Sequence, residues 1–153
     1  MQIKFPSPEP DGNNLSGFRL RVRKSFSKSE RLCSRKIITK LFTESNSFYT
    51  ASFKVLWLEL PDASRFPVQI ALSVPKKRFR SAVKRNLIKR RIREAYRKKK
   101  HVLYELLLQI NVRIALLLIY RGNEVPDYNQ TEKSVIEIRD RLIARIRDKA
   151  GKC

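Results

Sequence analysis

The chain has 153 residues, enough for one domain with an apolar core and short for two. Its 42% hydrophobic content excludes an unfolded polar chain, while 35 Lys+Arg against 14 Asp+Glu leave a formal charge of +21. A folded body so strongly of one sign repels itself unless a polyanion neutralises it, which points to nucleic acid; an anionic membrane surface is the competing partner.

Residues 1–17 hold three prolines, two glycines and small polar residues, so residues 1–25 are expected to be a flexible arm. Within it, residues 18–23 (FRLRVR) alternate apolar and basic, as a short edge strand or an RNA-touching extension would. A helix is expected over residues 29–45, with Leu32, Ile37 or Ile38, Leu41 and Phe42 recurring at helical spacing. Residues 51–60 alternate as a strand, with Phe53, Val55 and Trp57 on one face. A turn at residues 61–64 leads to a second strand over 68–74, a spacing that suits an antiparallel hairpin. Residues 82–108 read as a long helix with an interruption near His101, and the continuous apolar run 112–120 as a centrally buried strand. A loop with Pro126 precedes an amphipathic helix over 131–149, whose apolar side carries Val135, Ile138, Leu142, Ile143 and Ile146. The expected class is α+β, a small mostly antiparallel sheet packed with helices in the order α-β-β-α-β-α. It forms a single domain over residues 26–149, with a frayed tail at 150–153.

The chemistry-bearing residues are few. Cys33 and Cys153 offer neither a disulfide framework nor metal-ligand spacing; Cys33 reads as a packed thiol on a helix. His101, the only histidine, follows three lysines and reads as a solvated imidazole. The acids Glu44, Glu59, Asp62, Glu94 and Glu105 are scattered, which argues against a stand-alone metal-dependent nuclease. No signal-peptide core begins the chain. The apolar stretch 103–120 is broken by Glu105, Gln109, Asn111 and Arg113 and reads as no membrane span, so the cytoplasm is the expected compartment.

Residues 76–101 hold fourteen Lys+Arg and one acid, Glu94. On a helix, Asn86, Lys89, Arg90, Arg93 and Arg97 fall on one stripe, beside an apolar stripe of Ile88, Ile92, Ala95 and Tyr96. Stacked like charges cost roughly 0.2–0.5 kcal/mol per neighbour, so a helix kept for stability alone would intersperse glutamates. The stripe therefore reads as a phosphate-binding face, to which arginine contributes a planar two-bond fork. Asn86 could read a base edge or a 2′-hydroxyl, or cap the helix locally. Lys76 and Lys77 lie beyond a strand end, beside the helix N-terminus, whose free N–H groups favour an anion. Phe42, Phe53 and Trp57 are available for stacking on unpaired bases, each with core burial as the alternative reading.

The segments 71–77 (ALSVPKK), 82–86 (AVKRN) and 88–97 (IKRRIREAYR) strongly resemble the signature of the bacterial ribonuclease P protein subunit. That signature runs roughly S-V-x-K-K, a short loop, then A-x-x-R-N-R-x-K-R-x-x-R-E-x-[FY]-R; weaker similarity extends it over residues 26–147. The resemblance implies a protein subunit supporting a large catalytic RNA that removes the 5′ leader of precursor tRNA. Mg2+ would accompany the RNA subunit, and the protein alone would bind no cofactor and carry no catalytic residue. By matched position, Arg85, Asn86, Lys89, Arg90 and Arg93 would face the catalytic RNA, with Lys76 and Lys77 nearby and Arg97 continuing the stripe. Phe42 matches an aromatic of the leader cleft, Ile38 sits where many members carry another, and Phe53 and Trp57 complete the candidates. The implied order is α-β-β-β-α-β-α with a left-handed β-α-β crossover, contrary to the usual hand. Leu87 stands where the family has the second arginine of Arg-Asn-Arg, with Arg91 a candidate to compensate, and Pro75 replaces a small residue. A monomeric protein is expected, with ribonuclease P RNA and the precursor leader as partners. A general RNA-binding module is the alternative: it would bind RNA with the same salt sensitivity but without preference for leader-bearing precursors.

Overall fold

A computed structural model of the chain describes residues 26–61 and 66–151. The expected arm at 1–25, with its alternating stretch 18–23, and Cys153 lie outside the described residues.

A 3-10 turn at Lys28–Glu30 precedes helix α1 at Arg35–Glu44, whose N-terminus is capped by the Ser34 hydroxyl accepting from the Ile37 N–H. The expected first helix is thus two pieces, because residues 31–34 extend and bridge Arg31 to Ile70. Three strands follow, β1 at Asn46–Tyr49, β2 at Phe53–Leu60 and β3 at Val68–Ser73. Helices α2, Ala82–Lys99, and α3, His101–Ile110, abut at Lys100, so the interruption expected near His101 is present. Strand β4, Arg113–Tyr120, and helix α4, Tyr128–Gly151, complete the chain. Asn111 ends α3 in the left-handed conformation at φ 56°, one of the few residue types that enter it cheaply.

The sheet runs β1-β2-β4-β3. Strand β2 pairs antiparallel with both β1 and β4, whereas β3 runs parallel to β4. The expected β2–β3 hairpin is therefore a correction: β4 inserts between them, because the most continuously apolar strand is buried best at the centre. Strand β1, absent from the order read off the residues alone, restores the three successive strands of the resemblance. The α+β class and the mostly antiparallel sheet hold.

The sheet is covered on both faces. One buries Phe53, Val55, Trp57, Ile114, Leu116 and Leu118 against α2, α3 and α4. The other sets Leu56, Ala115 and Leu117 against Leu32 and Leu41 of the α1 region. Cys33 is exposed ahead of α1 rather than packed on a helix, and His101 is half-buried with Nδ1 enclosed rather than solvated.

A polar cluster pins the N-terminal turn to the α2–α3 junction. Glu30, 1% exposed, accepts from Lys100 Nζ at 2.5 Å, from the Tyr104 hydroxyl at 2.5 Å and from the Ser27 N–H at 2.8 Å. Tyr104 in turn shares a 2.9 Å hydrogen bond with Tyr96. Burial lowers the Lys100 pKa against the opposing pull of Glu30, and burial raises the phenols of Tyr96 and Tyr104.

Candidate nucleic-acid interface

Helix α2 begins at Ser81, whose hydroxyl accepts from the Lys84 N–H at 3.3 Å. Its apolar stripe, Ile88, Ile92, Ala95 and Tyr96, is buried as expected. That fixes the helix rotation and turns Asn86, Arg90 and Arg93 outward into solvent, with Lys89 half-buried beside them. Neither Lys89, Arg90 nor Arg93 has a carboxylate partner among the described residues. Partial burial and then the nearby Arg31 guanidinium lower the Arg93 pKa, so the cationic face continues onto the N-terminal segment. Arg97 lies on the same stripe but pairs with Glu94 at 2.5 Å. The first turn of α2 carries no acid, leaving the positive end of the helix dipole uncompensated.

Ahead of the helix, the Pro75 carbonyl accepts from Arg78 N at 3.1 Å and Phe79 N at 3.2 Å, closing a turn that exposes Lys76 and Lys77. Phe79 anchors this turn in the core. Lys76, Lys77, Asn86, Lys89, Arg90 and Arg93 therefore make up a solvent-facing cationic surface. A row of unneutralised ammonium and guanidinium groups beside free helix N–H donors can bind successive phosphates.

Two arginines are engaged within the protein. Arg85 Nη1 donates to the Phe79 carbonyl at 2.8 Å and the Arg80 carbonyl at 2.9 Å, clamping the loop that enters α2. Arg91 Nη1 donates to the Pro126 carbonyl at 2.5 Å, tying α2 to the β4–α4 loop. One guanidinium nitrogen of Arg91, the candidate to compensate for Leu87, is thus engaged within the protein. Neither engagement was legible in the sequence, because the acceptors are backbone carbonyls, which every residue carries.

Of the cleft candidates, Ile38 is half-buried against the α1-side core, and Phe42 on the same helix is 62% exposed. Phe53 and Trp57 are corrected. Both are buried on the sheet face covered by α2, α3 and α4, opposite to α1, and neither presents a ring to the cleft. The strand residues that do face α1 are Lys54, Leu56 and Leu58.

A family model for ribonuclease P matches residues 26–142, the span that carries this fold and this basic helix. The chain belongs to the ribonuclease P protein family. The ribonuclease P protein component of Porphyromonas gingivalis is 36% identical over 109 residues, covering 71% of this chain and 80% of that protein. The component from Streptococcus mutans is 32% identical over 111 residues, covering 72% and 84%. In fold, the chain is similar to the RNase P protein of Thermotoga maritima, with a TM-score of 0.58 at 23% identity over 72% of this chain and 96% of that one. The Staphylococcus aureus RNase P protein gives 0.54 at 21% identity, over 72% and 95%. As a ribonuclease P protein component the chain acts in tRNA processing, in partnership with ribonuclease P RNA and within an endoribonuclease complex. No helix among the described residues is long and apolar enough to cross a membrane.

Proposed function

We propose that this ribonuclease P protein holds the ribonuclease P RNA on the outward face of α2 and the 5′ leader of precursor tRNA on the α1 side of the sheet. The observation that carries the reading is the run of Lys89, Arg90 and Arg93, which lacks carboxylate partners among the described residues. Lys76, Lys77 and Asn86 extend it, Arg97 continues it weakly because Glu94 shares its charge, and Arg85 supports it by shaping the loop. Ile38 and Phe42 line the leader side, where the exposed Phe42 ring offers a face to an unpaired base.

In this reading the RNA subunit performs the hydrolysis and carries the Mg2+ it needs. The one buried carboxylate among the described residues, Glu30, is committed to Lys100 and Tyr104. The protein works by positioning: neutralising phosphates lowers the repulsion between two RNAs, and a held leader places the scissile bond. We assign the protein to the cytoplasm, as a monomer before assembly.

The test is the salt dependence of RNA binding. With four to six phosphates contacted, log K falls against log salt with a slope of roughly −3 to −5. Arg90→Ala is expected to weaken binding and reduce the slope by about one unit. An unchanged slope removes the α2 face from the interface.

A further inference from the structure

On the α1 side of the sheet, cross-strand register sets Tyr49, Lys54, Ile119 and Ser73 in one row. This row lies next to the one that α1 covers, Leu56, Leu117 and Ala71. At one end, Ser73 leads into the turn that exposes Lys76 and Lys77. At the other, Tyr49 sits on the edge strand β1 and is 51% exposed. Four strands at about 4.8 Å spacing make the strip roughly 14 Å long.

Two cations lie against the Tyr49 ring. Lys54 Nζ lies 5.6 Å from its centroid and the Arg121 guanidinium carbon 4.7 Å. Arg141 Nη1 donates to the Tyr49 carbonyl at 2.7 Å while also pairing with Glu137 at 3.2 Å. Lys54 and Arg121 have no carboxylate partner among the described residues. Lys54 belongs to β2 and Arg121 follows the end of β4, whereas β1 has no strand neighbour other than β2 among the described residues.

We propose that Tyr49, Lys54 and Arg121 form a nucleotide subsite for an unpaired stretch of RNA. A base stacks on the exposed half of the Tyr49 ring, and the adjoining phosphate lies between Lys54 and Arg121. The combination suits single-stranded RNA, because an aromatic face accepts any base and paired cations track the backbone. It also places cations at the sheet edge opposite to Lys76 and Lys77. The inference rests on the RNA-holding role proposed above and adds a site remote in sequence from α2. Its RNA is either the precursor leader or an unpaired segment of the RNA subunit.

The experiment reconstitutes the full chain with ribonuclease P RNA. It measures protein–RNA subunit affinity in one arm, and holoenzyme affinity for long-leader and leaderless tRNA in the other. Tyr49→Ala is expected to weaken binding about tenfold, within the range for one base stacked on an aromatic ring, while Tyr49→Phe retains it. A loss confined to the long-leader substrate assigns the subsite to the leader; a loss in assembly assigns it to the RNA subunit. Tyr49→Leu keeps apolar bulk at the edge without an aromatic face, and is expected to match Tyr49→Ala even if alanine loosens β1. Affinities within twofold of the unaltered protein in both arms, for folded Tyr49→Ala or Tyr49→Leu, overturn the proposal. Arg90→Ala measured alongside reports on the α2 face separately, so failure of one reading is distinguishable from failure of the other.

Discussion

Replacing Glu30 by glutamine removes one charge from a buried pair while leaving size and an acceptor oxygen in place. Glu30 and Lys100 are 1% and 2% exposed, so Lys100 would be left with a buried ammonium and no carboxylate against it. Stranding a charge in this way typically costs about 3–5 kcal/mol. Lysine can escape by releasing its proton, and that sets a ceiling. Each pH unit below its unfolded pKa of about 10.4 costs about 1.36 kcal/mol, so neutral Lys100 costs roughly 4.6 kcal/mol at pH 7 and roughly 1.9 at pH 9. Glu30→Gln is therefore expected to lose about 3–4 kcal/mol at pH 7, a large share of an ordinary domain's stability, and about 2 kcal/mol less at pH 9. Urea unfolding followed by the fluorescence of Trp57, the single tryptophan, measures both. A loss under about 1 kcal/mol at pH 7, or an equal loss at both pH values, would refute the claim that this pair is a buried, charged latch.

Tyr96 and Tyr104 have phenol pKa values raised by burial, so the folded state holds those protons longer than the unfolded chain. Their stabilisation is complete below pH 10 and falls above it by about 1.36 kcal/mol per unit for each phenol; Tyr96→Phe should flatten this alkaline decline in denaturant titrations. Lys100, lowered by burial, acts in the opposite sense, its unfavourable contribution shrinking as the pH rises toward about 10.4. Trp57→Ala should cost about 3–5 kcal/mol of stability, whereas Phe42→Ala should change stability by less than about 0.5 kcal/mol and weaken binding of leader-bearing substrate by about 1–3 kcal/mol. Arg85→Ala should lower the melting temperature through loss of its two carbonyl contacts, worth about 1–2 kcal/mol, and change the salt slope less than Arg90→Ala does.

Much of the interface was legible because helical periodicity is strong in α2. Ile88, Ile92, Ala95 and Tyr96 fix one buried stripe, and the cations on the other side follow from geometry alone. Strand β1 escaped notice because Asn46–Tyr49 has four residues, of which only Phe48 is buried. The false β2–β3 hairpin came from sequence adjacency, although the unbroken apolar run of β4 already marked it as a central strand with two neighbours. Phe53 and Trp57 went to the wrong side for a related reason. Both faces of the sheet are covered, so alternation shows that the two share a face but not which helices lie over it. The Glu30–Lys100 pair joins residues 70 positions apart and carries no local pattern at all.

The most direct measurement of the central claim adds the purified protein to ribonuclease P RNA at low Mg2+ and follows cleavage of precursor tRNAs whose leaders are progressively shortened. The account predicts stimulation by the protein that fades as the leader shortens and is lost with alanine at Arg90 and Arg93 together. Tight RNA binding without stimulation, or stimulation independent of leader length, would contradict it.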